Sequence, residues 1–179
     1  MDRVHSDAPH PVTPGGPVVR AATRSDLHRL AELMNLGGVP GRAPCEVPDD
    51  LEPYRRALRD IEDGSGGVLV AELDGEVVGV CQLIVFRHLQ DRGGLSAEIE
   101  SVHVHPSHRS HGIGTTLVRA AIQQAQALGC YPVQLTSNDV RHDAHRFYER
   151  LGFTPSHRRF KLTLHRAAGR TVVHRYVIV

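Results

Sequence analysis

The stretch HPSHRSHGIGTT (residues 105–116) gathers residue types that hold an anion: Arg109, then Gly112 and Gly114 two positions apart. It stands between an alternating run, EIESVHVH, and a helix-periodic one, TTLVRAAIQQAQALG. A glycine-containing strand-to-helix turn exposes backbone N–H groups that converge on a phosphate, assisted by the helix N-terminus. Two common phosphate loops do not fit. A Walker loop needs a lysine that Gly114-Thr115-Thr116 lacks, and a dinucleotide fingerprint needs a third glycine where Leu117 stands. Glycines serving backbone geometry alone remain the plain alternative. Upstream, Glu98 and Glu100 share a face if their strand is regular. Downstream, Tyr148 shares a helix face with His145 and Arg141 at 3- and 4-residue spacing, which turns its hydroxyl toward a polar cleft. His103, His105, His108 and His111 cluster in sequence, but no H-E-x-x-H or paired Cys/His spacing accompanies them, so no metal is expected.

A chain of 179 residues, 40% hydrophobic and 23% charged, is expected to form one soluble globular domain. No apolar run approaches the roughly 18 residues of a membrane span. The Pro-, Gly- and His-rich residues 1–16 lack the apolar centre of a signal peptide and read as a flexible tail. Cytoplasm is the default. Cys45, Cys81 and Cys130 are odd in number and widely spaced, so they read as reduced and buried. The net charge of +1 is unevenly spread. Residues 1–100 carry 10 basic and 17 acidic side chains, whereas residues 101–179 carry 11 basic and 3 acidic. The basic half holds the glycine turn, which suits an anionic ligand, while the near-neutral total argues against general nucleic-acid binding.

The positioning elements follow from periodicity. PVVRAAT (17–23) reads as a strand. Ser25 or Asp26 then caps a helix with Leu27, Leu30, Leu33 and Met34 on one stripe. The Gly/Pro-rich loop 36–50 precedes a second helix opened by Asp49 or Asp50. GGVLVAELDGEVVGVCQLIVF is a hairpin turning at Asp74-Gly75. A strand over 95–105 follows, then a helix over about 113–128 with Ile113, Leu117, Ala121 and Leu128 inward, ended by Gly129. YPVQLTS is a short strand. Asn138 or Asp139 caps a helix ending at Gly152, with Phe147 and Leu151 in the core. RRFKLTLHR and TVVHRYVIV read as closing strands. The order β-α-α-β-β-β-α-β-α-β-β makes residues 17–179 a single mixed α/β domain of about seven strands and four helices.

The turn Arg109-Ser110-His111-Gly112-Ile113-Gly114 resembles the R/Q-x-x-G-x-G/A turn of the GNAT superfamily of N-acetyltransferases. EIESVHVHPSHR is similar to that family's central strand, and NDVRHDAHRFYERLGF to its second motif, in the family's order over about residues 17–165. LDGEVVG (73–79) and RHDAHRFY…SH (141–157) further resemble aminoalkylphosphonate N-acetyltransferase-like members. Ser101 stands where that subgroup carries a glutamate linked to metal dependence, so the subgroup's acceptor is not carried over. The resemblance implies a GNAT fold with splayed central strands and acetyl-CoA as co-substrate.

It also implies roles. The turn, from Arg109 through Ser110, His111, Gly112, Ile113 and Gly114 to Thr115, holds the pyrophosphate of acetyl-CoA. Backbone groups of Val102, His103 and Val104 meet the pantetheine arm and the oxyanion, and Asn138 contacts CoA or serves only as a helix cap. Glu100 is the general base, with Glu98 able to share that role, and His103 and His105 are lesser candidates. Tyr148 is the general acid. Glu98, Glu46, Asp49, Asp50 and His157, with Arg42 and Arg87, are candidates for the acceptor, a small primary amine. Dimers are common in the family, and the apolar C-terminal strand offers an edge for one. A domain that binds acyl-CoA without turnover, or one that acetylates a protein or peptide amine, would share the turn, but keeping both Glu100 and Tyr148 favours catalysis.

Overall fold

Near-continuous apolar runs bury two central strands on both faces, and the rest of the chain is arranged to cover them. The computed structural model describes residues 15–36 and 50–162. The elements, in order, are β1 (Val18–Ala21), a 3-10 turn (Arg24–Asp26), α1 (Leu27–Leu36), α2 (Glu52–Glu62), β2 (Gly67–Leu73), β3 (Glu76–Arg87), β4 (Leu95–Val104), a second 3-10 turn (Pro106–His108), α3 (Ile113–Ala127), β5 (Cys130–Leu135) and α4 (His142–Arg150). The strands form one sheet in the order β1-β2-β3-β4-β5, antiparallel except for the parallel β4–β5 pair. One face packs α3 and α4 around Leu83, Ile99, Ile113 and Leu117; the other packs α1 and α2 around Leu33, Leu58, Val70 and Val80. The layout is one mixed sheet covered by four α-helices, the α/β class that the resemblance implies.

Local chemistry explains the boundaries. Asp74 (φ +51) and Gly75 (φ +80) both take the left-handed conformation that a two-residue hairpin turn demands. Gly79 admits α3 to the sheet, because a Cβ there would lie 2.9 Å from Leu117 Cδ1 and 3.2 Å from Ile113 Cγ2. Cys81 is fully buried, which pushes its thiol up to about 12, and burial raises Cys130 as well. Both thiols are free, as the sequence suggests, and Cys45 lies outside the described residues.

Several boundaries differ from expectation. Five strands are described, not seven: residues 158–162 of RRFKLTLHR are outside any strand, and 163–179, with the expected C-terminal strand, lie outside the described residues. Thr23, not Ser25 or Asp26, precedes the first helical turn; Asp26 instead accepts from the Thr23 N–H at 2.7 Å and its hydroxyl at 2.9 Å. Leu51 occupies the N-cap of α2; Asp50, one residue earlier, accepts the Glu52 N–H at 2.9 Å, and Asp49 lies outside the described residues. Arg141 occupies the N-cap of α4 rather than Asn138 or Asp139, because Asn138 turns its side chain onto Val140 N–H at 3.1 Å in a tighter turn upstream. Leu128 is 41% exposed where an inward position was expected, since α3 has already ended at Ala127.

Asp26 also anchors the first strand. Arg20 donates to it with both terminal nitrogens, at 2.8 and 3.0 Å, and to Glu72 at 2.8 Å. The Arg20 bonds are the largest influence holding the Asp26 carboxyl down at about 2, from an ordinary 3.8. A depressed carboxylate stabilises the fold above its unfolded pKa, and the contribution is lost as pH falls through the folded value. Discounted for the partly exposed arginine, the shift corresponds to about 1–2 kcal/mol. Asp26→Asn is therefore expected to lose that much stability in urea melts at pH 7, with the gap from the parent closing between about pH 4 and pH 2.

Candidate active site

The β4–β5 ladder ends at Ile99 opposite Leu135, yet β4 runs on to Val104. β5 itself ends at Leu135, so residues 100–104 carry no ladder on that side. On the other side β3 pairs Gln82 with Glu100 and Val80 with His103, so Ser101 and Val102 together face Cys81 alone. That extra residue is a β-bulge, and Ser101 accommodates it at φ +53.

The bulge decides which side chains face which way. Opposed residues of an antiparallel pair share a face. Glu98, Glu100 and His103 oppose Ile84, Gln82 and Val80, every second residue of β3, and so all project on the α1/α2 face. Ile99, Val102 and Val104 pack into the α3/α4 core. A regular strand would have put Val102 beside Glu100 and His103 beside Ile99. The expected shared face of Glu98 and Glu100 is present. His105 has left the strand by then, its N–H bonded to Val78 O at 2.9 Å.

The opening collects titratable groups with altered proton affinity. Glu100 Oε1 lies 3.5 Å from the Thr136 hydroxyl and 3.9 Å from Arg159 Nη1, and Arg159 also donates to Thr136. Burial raises the Glu100 pKa above its usual 4.5; the neighbouring Glu98 adds to this, and Arg159 and Thr136 oppose it. Burial likewise raises Tyr148, which packs edge-on against Phe147 and Phe153, with Arg141 opposing and Cys81 and Glu100 adding. Tyr148 thus feels groups from both faces of the sheet. The imidazole of His103 is pushed down by burial first and then by Arg141 and Arg109, and its Nδ1 is buried without a partner among the described residues.

The glycine turn adjoins this opening. Ser110 (φ +66) and Gly112 (φ +79) are both left-handed, and Gly112 is the N-cap of α3 with no side chain bonded over it. The first-turn N–H groups of Ile113, Gly114 and Thr115 are therefore left to be met from outside the helix. Arg109 Nε is tied to Val104 O at 3.2 Å, which fixes the turn to the end of β4. His111 Nδ1 bonds Arg109 O at 2.7 Å. A Cβ on Gly114 would sit 3.4 Å from Phe147 Cζ, so the turn also packs on α4. Asn138 O accepts from Arg141 N–H at 2.9 Å and pairs with His145 Nε2 at 3.0 Å, which holds the β5–α4 connection.

Of the other candidates, Glu46, Asp49 and Arg42 lie outside the described residues. Arg87 is bonded into its own turn at Gly93 O, and exposed His157 pairs with Ser156 at 2.7 Å. Sequence reasoning missed Thr136 and Arg159. Neither carries a spacing signal, because only the parallel β4–β5 register and the path of the chain after α4 bring them to Glu100. Among the described residues no three His, Cys, Asp or Glu side chains gather as a metal site, and no helix is long and apolar enough to cross a membrane.

The model of the acetyltransferase (GNAT) family matches residues 31–153. The chain belongs to this family. It is 38% identical over 125 residues to an aminoalkylphosphonate N-acetyltransferase of Salmonella typhimurium, covering 67% of this chain and 80% of that protein. It is 33% identical over 147 residues to a glucosamine 6-phosphate N-acetyltransferase of Trypanosoma brucei brucei, covering 82% and 95%. A crystal structure described as a transcriptional regulator from Bacillus halodurans superposes with a TM-score of 0.76 at 36% identity, covering 83% of this chain and 99% of that one. The protein is accordingly an acyltransferase enzyme, and GNAT acetyltransferases take acetyl-CoA as co-substrate.

The bulge is open to a direct test. Ser101 sits where a β-branched side chain is strongly disfavoured. Ser101→Val should cost about 1–2 kcal/mol in urea unfolding, and Ser101→Gly should stay within about 1 kcal/mol of the parent.

Proposed function

We propose that this GNAT enzyme transfers the acetyl group of acetyl-CoA to the primary amine of a small molecule by direct attack, with Glu100 as general base and Tyr148 as general acid. One observation carries the reading. The bulge in β4 and the end of its β5 ladder leave a carboxylate and a half-buried phenol, both with raised pKa, near an uncapped helix N-terminus.

The chemistry asks for such a pair. An amine of pKa about 10.4 is about 0.04% free base at pH 7, an obstacle of about 4.6 kcal/mol. Glu100, directly or through water, takes the ammonium proton; its raised affinity suits that task better than an ordinary carboxylate would. The amine nitrogen bonds to the acetyl carbon as the C–S bond breaks. Developing negative charge on the carbonyl oxygen is met by backbone N–H groups of Val102 to Val104, at the stretch of β4 without a β5 partner. Tyr148, protonated at neutral pH, gives its proton to the leaving thiolate. Arg109, Ser110, His111, Gly112, Ile113, Gly114 and Thr115 hold the pyrophosphate at the α3 N-terminus, and Asn138 contacts the arm.

Both relatives are named for amines that also bear a phosphonate or phosphate, so 2-aminoethylphosphonate and glucosamine 6-phosphate are the first acceptors to assay, with aminoglycosides after them. The same reading places the enzyme in the cytoplasm, requires no metal, and makes a homodimer the assembly to check by light scattering.

Tyr148→Phe should lower kcat by about 10-fold or more under conditions where chemistry limits turnover; an unchanged kcat removes Tyr148 from the mechanism. Gly112→Trp should abolish acetyl-CoA binding in a thermal-shift titration. In kcat/KM against pH, activity should fall with acidity through a limb above the ordinary 4.5 of a glutamate, because Glu100 must be unprotonated to accept. Charged neighbours acting on that limb are Glu98 on the same strand and Arg159 from the segment after α4. Glu98→Gln should move the limb to lower pH. If acetyl-CoA raises the Tm yet no amine yields free thiol, the chain binds acyl-CoA without turnover and the enzymatic reading is wrong.

A further inference from the structure

The carboxylate pair on the α1/α2 face has a cation beside it that lies outside the segment matched by the family model. Arg159 sits six residues past the matched stretch, 31–153, in the extended segment that follows α4. Its guanidinium donates to the Thr136 hydroxyl and lies 3.9 Å from Glu100 Oε1. The second distance is too long for a hydrogen bond, and the Arg159 side chain is 59% exposed. An exposed ion pair of this kind is worth little, so separating it costs little. Among the described residues its one close partner is a neutral hydroxyl. A guanidinium has five N–H donors in a planar fork suited to a carboxylate or phosphoryl group, and most of them have no partner among the described residues.

Charge balance gives the arginine a purpose. Glu98 and Glu100 alone would make a doubly negative site, best filled by a dication. With Arg159 beside them, the site has a negative part for an ammonium and a positive part for an anion. We infer that Arg159 is a specificity-determining residue of the acceptor site, where its guanidinium receives the anionic group of a zwitterionic acceptor whose amine is received at Glu98 and Glu100. This rests on the acetyl-transfer reading above and adds the substrate class: a small primary amine bearing a carboxylate, phosphonate or phosphate a few bonds away. Diamines and plain alkylamines are disfavoured, the first by repulsion from Arg159 and the second for want of a partner to it.

A matched series of three-carbon amines tests this in the full-length enzyme: β-alanine and 3-aminopropylphosphonate, 1-propylamine, and 1,3-diaminopropane. CoA release gives kcat/KM for each with the parent, Arg159→Ala and Arg159→Glu. The parent should prefer at least one anion-bearing amine over 1-propylamine, and 1,3-diaminopropane should rank last. Arg159→Ala should reduce that preference about 10-fold or more, chiefly through the KM for the anionic acceptor, with the KM for acetyl-CoA unmoved. Arg159→Glu should reverse the ranking in favour of the diamine. Equal losses for every acceptor, or a parent indifferent to the anion, overturn the assignment while leaving acetyl transfer intact. Absence of thiol release with every amine strikes at the acetyl-transfer reading itself, and the assignment falls with it. Thermal melts of each variant with acetyl-CoA, which should match the parent's shift, separate these outcomes from misfolding.

Discussion

A single extra residue in β4 governs the rest of the site. Side chains alternate along a strand with a period of two, so one inserted residue moves everything after it to the other face. Before the bulge, Ala97 and Ile99 fill the α3 side while Glu98 and Glu100 face α1 and α2. After it, Val102 and Val104 join the α3 side and His103 joins the glutamates. The bulge therefore satisfies two demands that a regular strand would set against each other. The core keeps its apolar residues on both sides of position 101, and the polar groups accumulate on one face.

The same strand also loses its β5 partner after Ile99. In most sheets an unladdered stretch of interior strand would be a liability, because its backbone N–H and C=O groups need partners. Here Arg109 covers one of them, Val104 O, and thereby ties the glycine turn to the strand that precedes it. The uncapped start of α3 and the bare edge of β4 thus form one continuous region of unspent backbone donors. It is on this region that the proposed seat for acetyl-CoA rests.

Burial is the largest influence on the proton affinities of Glu100, Tyr148 and His103. Glu100 is harder to deprotonate than an ordinary glutamate, Tyr148 keeps its proton, and His103 stays neutral between two arginines. The groups that act on one another come from β4, β5, α4 and the segment after α4, so no single element carries the site. Gly79 has a supporting part in this: the close approach of α3 that it permits sets where the turn lies relative to β4.

The amino-acid sequence by itself determined the elements and their order from β1 to α4. The Asp74-Gly75 turn, the Leu27/Leu30/Leu33 stripe, Gly129 after α3 and the Arg109–Gly114 turn are local signals, written within a few residues of where they act. It also named Glu98, Glu100 and Tyr148, because residue types and resemblance sufficed to mark them. It misplaced the caps at Ser25 and Asn138: the first helical turn follows Thr23, and Asn138 spends its side chain on the Val140 N–H in the turn before α4. Tertiary structure alone decided the rest. The bulge at Ser101 has no composition signal, since serine is not a residue that marks a left-handed backbone and only the pairing with β3 fixes which residue is inserted. Thr136 and Arg159 reach Glu100 across 36 and 59 positions of sequence, and proximity over that span exists only after β4 and β5 have paired.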